Sequence, residues 1–251
     1  MFRPRIIPVL LLKENVLVKS IRFRGHRYIG DPINAVRIFN ELRADELVFL
    51  DIEASRQKRL ISLDLVKDVG EEALMPFSVG GGITSMDDIA QVLAAGAEKV
   101  VINTYAGIDL NFIKNASEVY GSSTIVVCID VRRTFFRGER AWILNGTTAT
   151  RFTPLEFARA MESSGAGELI VQSIERDGTM EGYDVELIRS IATGVSVPVV
   201  ALGGAGSNVH LEECYRHGRA DALAAGSMFV YRDKKKGVLI NYPEKKELSF
   251  E

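Results

Sequence analysis

Two glycine clusters stand where a chain can hold an anion with its own backbone. Gly80-Gly81-Gly82 and Gly203-Gly204-Ala205-Gly206 each follow a short apolar run. Glycine reaches positive φ and lets backbone N–H groups close on a phosphate, and a helix starting just beyond adds the positive end of its dipole. Asn103-Thr104 closes the apolar run after the first cluster, and Ala225-Gly226-Ser227 closes the run after the second. Either cluster alone reads better as a tight turn without a ligand, but two in matching settings point to a ligand with a phosphate at each end. Asp130 ends the apolar run IVVCID. An acid there suits proton transfer, and its plainer reading is a loop or helix cap. Asp177 and the Gly178 amide, within SIERDGT, offer further polar groups to the same ligand.

The elements that must position these groups alternate along the chain. Strands are predicted at 5–12, 46–52, 76–80, 98–103, 124–130, 167–173, 197–202 and 221–225. Their Val, Ile and Leu content with little polar alternation suits parallel strands covered by helices. Amphipathic helices are predicted near 32–43, 60–73, 85–95, 109–119, 153–164, 184–194 and 207–217. Asp31-Pro32 and Thr153-Pro154 read as helix starts, and Gly96 and Gly218 as helix stops. PFSVGGGITS from Pro76 recurs as PVVALGGAGS from Pro198, 122 residues on, and the same shift lays Glu46-Leu47 over Glu168-Leu169. A slightly smaller shift lays RIIPVLLL over TIVVCIDV. Such a half-length repeat favours two four-strand halves over an open sheet. The expectation is one α/β domain over residues 1–251, a single (β/α)8 TIM barrel of two half-barrels, whose usual size is about 250 residues. A last helix and a solvated polar tail from about residue 231 are expected to complete it.

Composition removes several classes. The net charge of -2 argues against general nucleic-acid binding, and the run Tyr231–Lys236 reads as a solvated face. Ile6–Leu12 is too short for a membrane helix. Cys128 and Cys214 lack CxxC or Cys/His spacing and read as buried thiols in a reducing, cytoplasmic setting. His26, His210 and His217 lack ligand spacing with carboxylates, so neither a metal nor a cofactor is expected.

Taken together, RIIPVLLLK, GDPINAVRIFNE, DELVFLDI, VGGGI, KVVINT, ERDGT, GYD and GGAG resemble the cyclase subunit of imidazole glycerol phosphate synthase, over residues 3 to 230. The resemblance implies a barrel that takes ammonia from a glutaminase partner and reacts it at the C-terminal face with a ribonucleotide bearing two phosphates. It places Gly82, Asn103 and Thr104 at one phosphate, and Asp177, Gly178, Gly204, Gly226 and Ser227 in the region of the other. Lys19 matches a mobile first loop that touches substrate, and Asp130 one of two catalytic aspartates. Arg5, Glu46, Lys99 and Glu168 match four charges ringing the ammonia entrance, and Glu98 an acidic position beside the partner interface.

Three mouth positions depart from that pattern. Leu11 stands where the second catalytic aspartate belongs, Gln172 where the family has Thr, and Leu202 where it has Ser. Leucine moves no proton, and losing one acid–base group costs about 10²–10⁴ in rate. A tolerant cyclase recruiting Asp51, Ser173 or a water is one way out. The leucine-rich first strand and the tail Val238–Pro243 (VLINYP) resemble instead a divergent branch tied to bacterial surface-polysaccharide synthesis. That likeness implies a barrel acting with a glutaminase and a separate amidotransferase to amidate a nucleotide-linked sugar. A cyclase of histidine synthesis and a phosphosugar-sensing activator of the glutaminase are the competing readings.

Overall fold

A computed structural model describes residues 3–135, 138–232, 237–244 and 247–250. The described strands are β1 (Arg5–Lys13), β2 (Val16–Ile21), β3 (Arg24–Gly30), β4 (Leu47–Asp51), β5 (Phe77–Gly80), β6 (Lys99–Ile102), β7 (Ile125–Thr134), β8 (Gly138–Ile143), β9 (Thr148–Ala149), β10 (Glu168–Ser173), β11 (Val199–Leu202) and β12 (Ala222–Ala225). The helices are α1 (Pro32–Glu41), α2 (Ala54–Gln57), α3 (Leu63–Glu72), α4 (Met86–Ala94), α5 (Thr104–Ile108), α6 (Leu110–Tyr120), α7 (Pro154–Ser163), α8 (Val185–Ala192), α9 (Asn208–Gly218) and α10 (Ser227–Val230). Parallel pairing runs β10-β11-β12-β1-β4-β5-β6-β7, and β7 pairs with β10 to close the ring. This is a (β/α)8 barrel, and each of the eight sequence-predicted strands is one of its staves.

Alternation along the staves builds two cores. Ile6, Leu10 and Leu12 of β1 face outward into the layer shared with the helices, whereas Ile7, Val9 and Leu11 face the barrel axis. Successive strand side chains point to opposite faces, so one apolar run fills both layers. The helices start where sequence chemistry places them. Asp31 accepts from the Asn34 amide with Pro32 in the first turn. Thr153 and Glu156 form a reciprocal capping box at α7, and replacing such a cap with Ala costs about 1 kcal/mol.

Two hairpins on the C-terminal face escaped the sequence reading. β1 overruns the barrel and turns through Glu14-Asn15, both at positive φ, into antiparallel β2 and then β3. β7 does the same into β8 and β9. Both leave β1 and β7, the pair related by the internal repeat.

Two other expectations need correction. The stop at α9 is Arg219 in the left-handed region, one residue past Gly218, which remains helical. The last helix is present, but the tail after it is not fully solvated. α10 has only four residues, Tyr231 pairs back on Val238, and Ile240, Tyr242, Leu248 and Phe250 pack against the outer core. Burying these side chains outweighs the polarity of their neighbours, and Pro243 cannot extend a helix. Asp233–Lys236, most of the expected charge run, lies outside the described residues. Among the described residues, no helix is long and apolar enough to cross a membrane.

Candidate functional site

The N-terminal end of the barrel gathers four charges from four staves. Arg5 opens β1, Lys99 opens β6, Glu168 opens β10, and Glu46 immediately precedes β4. The Arg5 guanidinium donates to both Glu46 and Glu168. Lys99 Nζ lies 3.5 Å from Glu46 Oε1 and 3.0 Å from Glu168 Oε2. Cation and anion therefore alternate around a closed ring. The Ser78 hydroxyl also donates to Glu46 at 3.0 Å. Both carboxylates are buried while the cations keep partial access to water. Burial alone would lower the Arg5 pKa, but Glu168 and Glu46 more than offset it, and the net shift is upward. Glu98 is exposed on the same end.

Above the ring the axis is apolar. Ile7, Val48, Val126, Ile170, Val200 and Ala222 belong to one inner cluster with Leu11 and Leu202. Such a lining admits a small neutral molecule at far lower cost than an ion, which would lose its hydration without a partner.

At the C-terminal end lies a cavity of about 530 Å³. Leu11, Gly82, Asn103, Thr104, Asp130 and Gln172 line it. Asp130 is almost fully buried and its pKa is raised to about 7, chiefly by burial; the Cys128 thiol pulls it down, Asp177 adds repulsion, and Arg132 relieves it. Asn103 Nδ2 lies 3.3 Å from Asp130 Oδ2 and also donates to the Cys128 carbonyl at 2.9 Å. An acid that titrates near neutrality, held at a cavity wall, can both give and take a proton. The Cys128 thiol beside it is pushed up by burial and by the Asp130 charge, which keeps it protonated.

The shift that lays RIIPVLLL over TIVVCIDV lays Leu11 over Asp130. Leu11 pairs with Val18 of one hairpin and Asp130 with Trp142 of the other. One repeat thus presents an acid and its counterpart a methyl group. Asp51 reaches the cavity but is already engaged, accepting from the Glu53 and Ala54 amides at 3.0 and 3.1 Å and from Arg59 at 2.6 Å. Ser173 is buried and does not line the cavity.

The remaining mouth residues form a second, closed group. Lys19 Nζ donates to the Val9 carbonyl, and a side chain at Gly226 would meet that ammonium. Burial lowers the Lys19 pKa to about 8 despite the Asp177 charge. Asp177 accepts from the Ser20 hydroxyl at 3.2 Å and the Phe23 amide at 3.4 Å, and its backbone carbonyl takes the Arg22 amide at 3.0 Å. The first hairpin is thereby pinned across the mouth. Arg22 and Phe23 sit at positive φ in its tip, a strain of order 1 kcal/mol each that these contacts offset. Burial raises the Asp177 pKa, and the Phe23 amide, Lys19, Ser20 and Gln172 pull it back. Gly178 and Gly204, both at positive φ, allow loops to pass close: an added Cβ would lie 2.1 Å from the Ser20 carbonyl and 2.1 Å from the Gly182 carbonyl, respectively. Ser227 is buried at the start of α10.

Gly82, Asn103, Thr104 and Asp130 therefore line one cavity together with Ser20, Phe23 and His26 of the first hairpin, whereas Lys19, Asp177, Gly178, Gly204, Gly226 and Ser227 lie outside its lining, with Asp177, Gly178 and Gly226 in contact with that hairpin. The sequence reading missed Phe23, His26, Lys58 and Arg59, which also line the cavity. The available signal was the cationic pair Lys58-Arg59 shortly after the strand ending at Asp51. Among the described residues, no His, Cys, Asp or Glu cluster is arranged to hold a metal.

The fold and the site together define a closed (β/α)8 barrel with an ion-pair ring at one end and a glycine-looped cavity at the other. The histidine biosynthesis protein family model matches residues 5–235. The chain belongs to that family, among its HisF-like imidazole glycerol phosphate synthase cyclase subunits. It is 44% identical over 248 residues, 99% of each chain, to the "Putative imidazole glycerol phosphate synthase subunit hisF2" of Pseudomonas aeruginosa. It is 39% identical over 253 residues, 93% of each chain, to the imidazole glycerol phosphate synthase subunit HisF of Methanococcus vannielii. A Vibrio vulnificus protein with the printed name "Putative imidazole glycerol phosphate synthase subunit hisF3" is 38% identical over 248 residues.

Proposed function

We propose that this barrel receives ammonia from a glutaminase subunit at the Arg5/Glu46/Lys99/Glu168 ring and passes it along the apolar axis to a phosphate-bearing substrate at the mouth. The finer reading is delivery for amidation of a nucleotide-linked sugar in surface-polysaccharide synthesis, with a separate amidotransferase as a further partner. One observation carries it: the ring is closed and fully paired, yet Leu11 faces the cavity where the repeat puts Asp130 in the other half. Moving ammonia needs no acid at position 11, whereas ring closure draws on acid–base help from both sides of the substrate. Asp51, which pairs with Leu12 and lines the cavity, is occupied by Arg59 and two amides. Gly82, Asn103 and Thr104 serve one phosphate, Lys19, Asp177, Gly178, Gly204, Gly226 and Ser227 the other once the hairpin lifts, and Glu98 borders the glutaminase.

A second reading is a cyclase of histidine biosynthesis. The proton-ready Asp130 beside Asn103 in the open cavity favours it, as do the names of the relatives. The two are separated by turnover of the two-phosphate ribonucleotide and of a nucleotide-linked sugar, each supplied with an ammonium salt or with glutamine and the glutaminase. Ammonia-dependent ring closure of the ribonucleotide at an ordinary enzymatic rate would sink the amidation reading. A glutaminase stimulated by phosphosugar with no product formed would instead make the barrel an activator.

A further inference from the structure

The tail motif around Tyr242 reaches the entrance ring, although it begins beside α10. Asn241 donates its backbone N–H to the Phe229 carbonyl at 2.9 Å, and the Tyr242 ring packs on Phe229 with centroids 5.7 Å apart. The Tyr242 hydroxyl then donates to the Ile6 carbonyl at 2.9 Å and accepts the Asp45 amide at 3.1 Å. Ile6 follows Arg5 and Asp45 precedes Glu46, so this one hydroxyl joins the two backbones from which half the ring rises. The Asp45 carboxylate adds to the joint by taking the Ile6 amide at 2.9 Å and the Arg3 guanidinium at 2.6 and 2.8 Å.

The barrel's own hydrogen bonding does not do this. Pairing between β1 and β4 starts at Val9 with Val48 and runs upward to Leu12 with Asp51. At the level of Arg5 and Glu46, Tyr242 and Asp45 join these two staves to each other, while β1 pairs on its other side with β12 at Arg5–Ala222 and the Leu47 amide donates to the Pro76 carbonyl at 3.0 Å. Glu46 in turn holds Arg5, Lys99 and Ser78. A shift of its backbone would therefore reach both cations of the ring directly, and Glu168 through them.

We propose that Tyr242 is a positioning residue of the entrance ring: the C-terminal segment returns down the outside of the barrel to fix the Arg5 and Glu46 backbones, and so sets how tightly the doorway closes. Its bearing on ammonia transfer rests on the function proposed above, but the geometric claim is tested without ammonia, glutaminase or substrate. Tyr242→Phe keeps the ring packed on Phe229 and removes only the hydroxyl. Lys99 acetylation by acetic anhydride, followed by mass spectrometry, reads the ring, and hydrogen exchange at the Asp45 amide reads the joint. Lys99 should label roughly fivefold faster in the variant, the scale expected for losing about one net hydrogen bond, and Asp45 should exchange faster. Tyr120→Phe, which loses a hydroxyl bonded to the Met86 carbonyl at 2.9 Å, should leave Lys99 labelling unchanged. An unaltered Lys99 rate in Tyr242→Phe overturns the proposal, whatever Asp45 does. Should the variant not fold, the unmodified chain in urea below its unfolding transition gives the same answer. Asp45 exchange and Lys99 labelling must then rise together, and Lys99 opening first would overturn the proposal. Failure of Lys99→Ala to disturb coupling would count against the conduit while leaving this geometric result standing.

Discussion

Leu11→Asp restores the acid that the internal repeat places opposite Asp130, and it tests why this barrel departs from a ring-closing enzyme. Leu11 is 8% exposed and packs with Val18, Leu50 and Leu202 around the inner end of the cavity. Removing its buried side chain forfeits about 1.5–3 kcal/mol. The new carboxyl would meet an apolar wall and the like charge of Asp130, both of which favour its protonated form. The variant should therefore fold with a stability loss of about 2–4 kcal/mol, read by urea unfolding. With Lys19, Asp130 and the glycine loops in place, ammonia-dependent closure of the two-phosphate ribonucleotide should rise by about 10²–10⁴ over the unmodified chain. Leu11→Asn supplies the shape and polarity without the titrating proton and should gain far less. The refuting result is an unmodified chain that already closes the ring as fast as Leu11→Asp. Two acids would then be unnecessary, and the chain would act as a cyclase through Asp130 alone.

Three further outcomes are expected. Asp130 titrates near 7 in the fold against 3.8 when free, so the folded state holds its proton more tightly. The resulting stability is complete below about pH 3.8 and falls as pH rises toward 7, by about 4 kcal/mol at most; Asp130→Asn should remove that slope in unfolding measured from pH 4 to 8 and be the more stable protein at pH 8. Lys99→Ala leaves Glu46 and Glu168 sharing only Arg5. Because Lys99 is partly exposed, the loss should be about 1–2 kcal/mol, together with a lower ratio of aminated product to glutamate in the reconstituted complex; normal coupling would make the ring purely structural. Asp177→Ala frees the first hairpin from its side-chain contacts to Ser20 and Phe23, and limited trypsin digestion after Arg22, Arg24 or Arg27 should quicken roughly tenfold, with global stability in urea also lowered because the buried Lys19 loses the charge facing it.

Sequence by itself determined the barrel. Continuous Val, Ile and Leu runs cannot be mistaken for half-solvated strands, and Asp31, Thr153 and their prolines mark helix starts through purely local hydrogen bonding. The repeat likewise announced that Glu46 and Glu168 are counterparts, and the structure brings both onto one ring. Tertiary structure decided what depends on distant partners. The two hairpins extend staves past the apolar pattern, and the first is held by Asp177, more than 150 residues away. Lys19 is buried on the Val9 carbonyl and does not line the cavity, which no local signal in the chain encodes. Asp51 looked available until Arg59 was seen to pair with it. The tail looked solvated because its composition is polar, yet Tyr242 lies against Asp45 and Ile6, residues from the opposite end of the chain. Local propensity fixes caps and periods within a few residues. Burial, ion pairing and proton affinity arise from groups that meet only after the barrel closes.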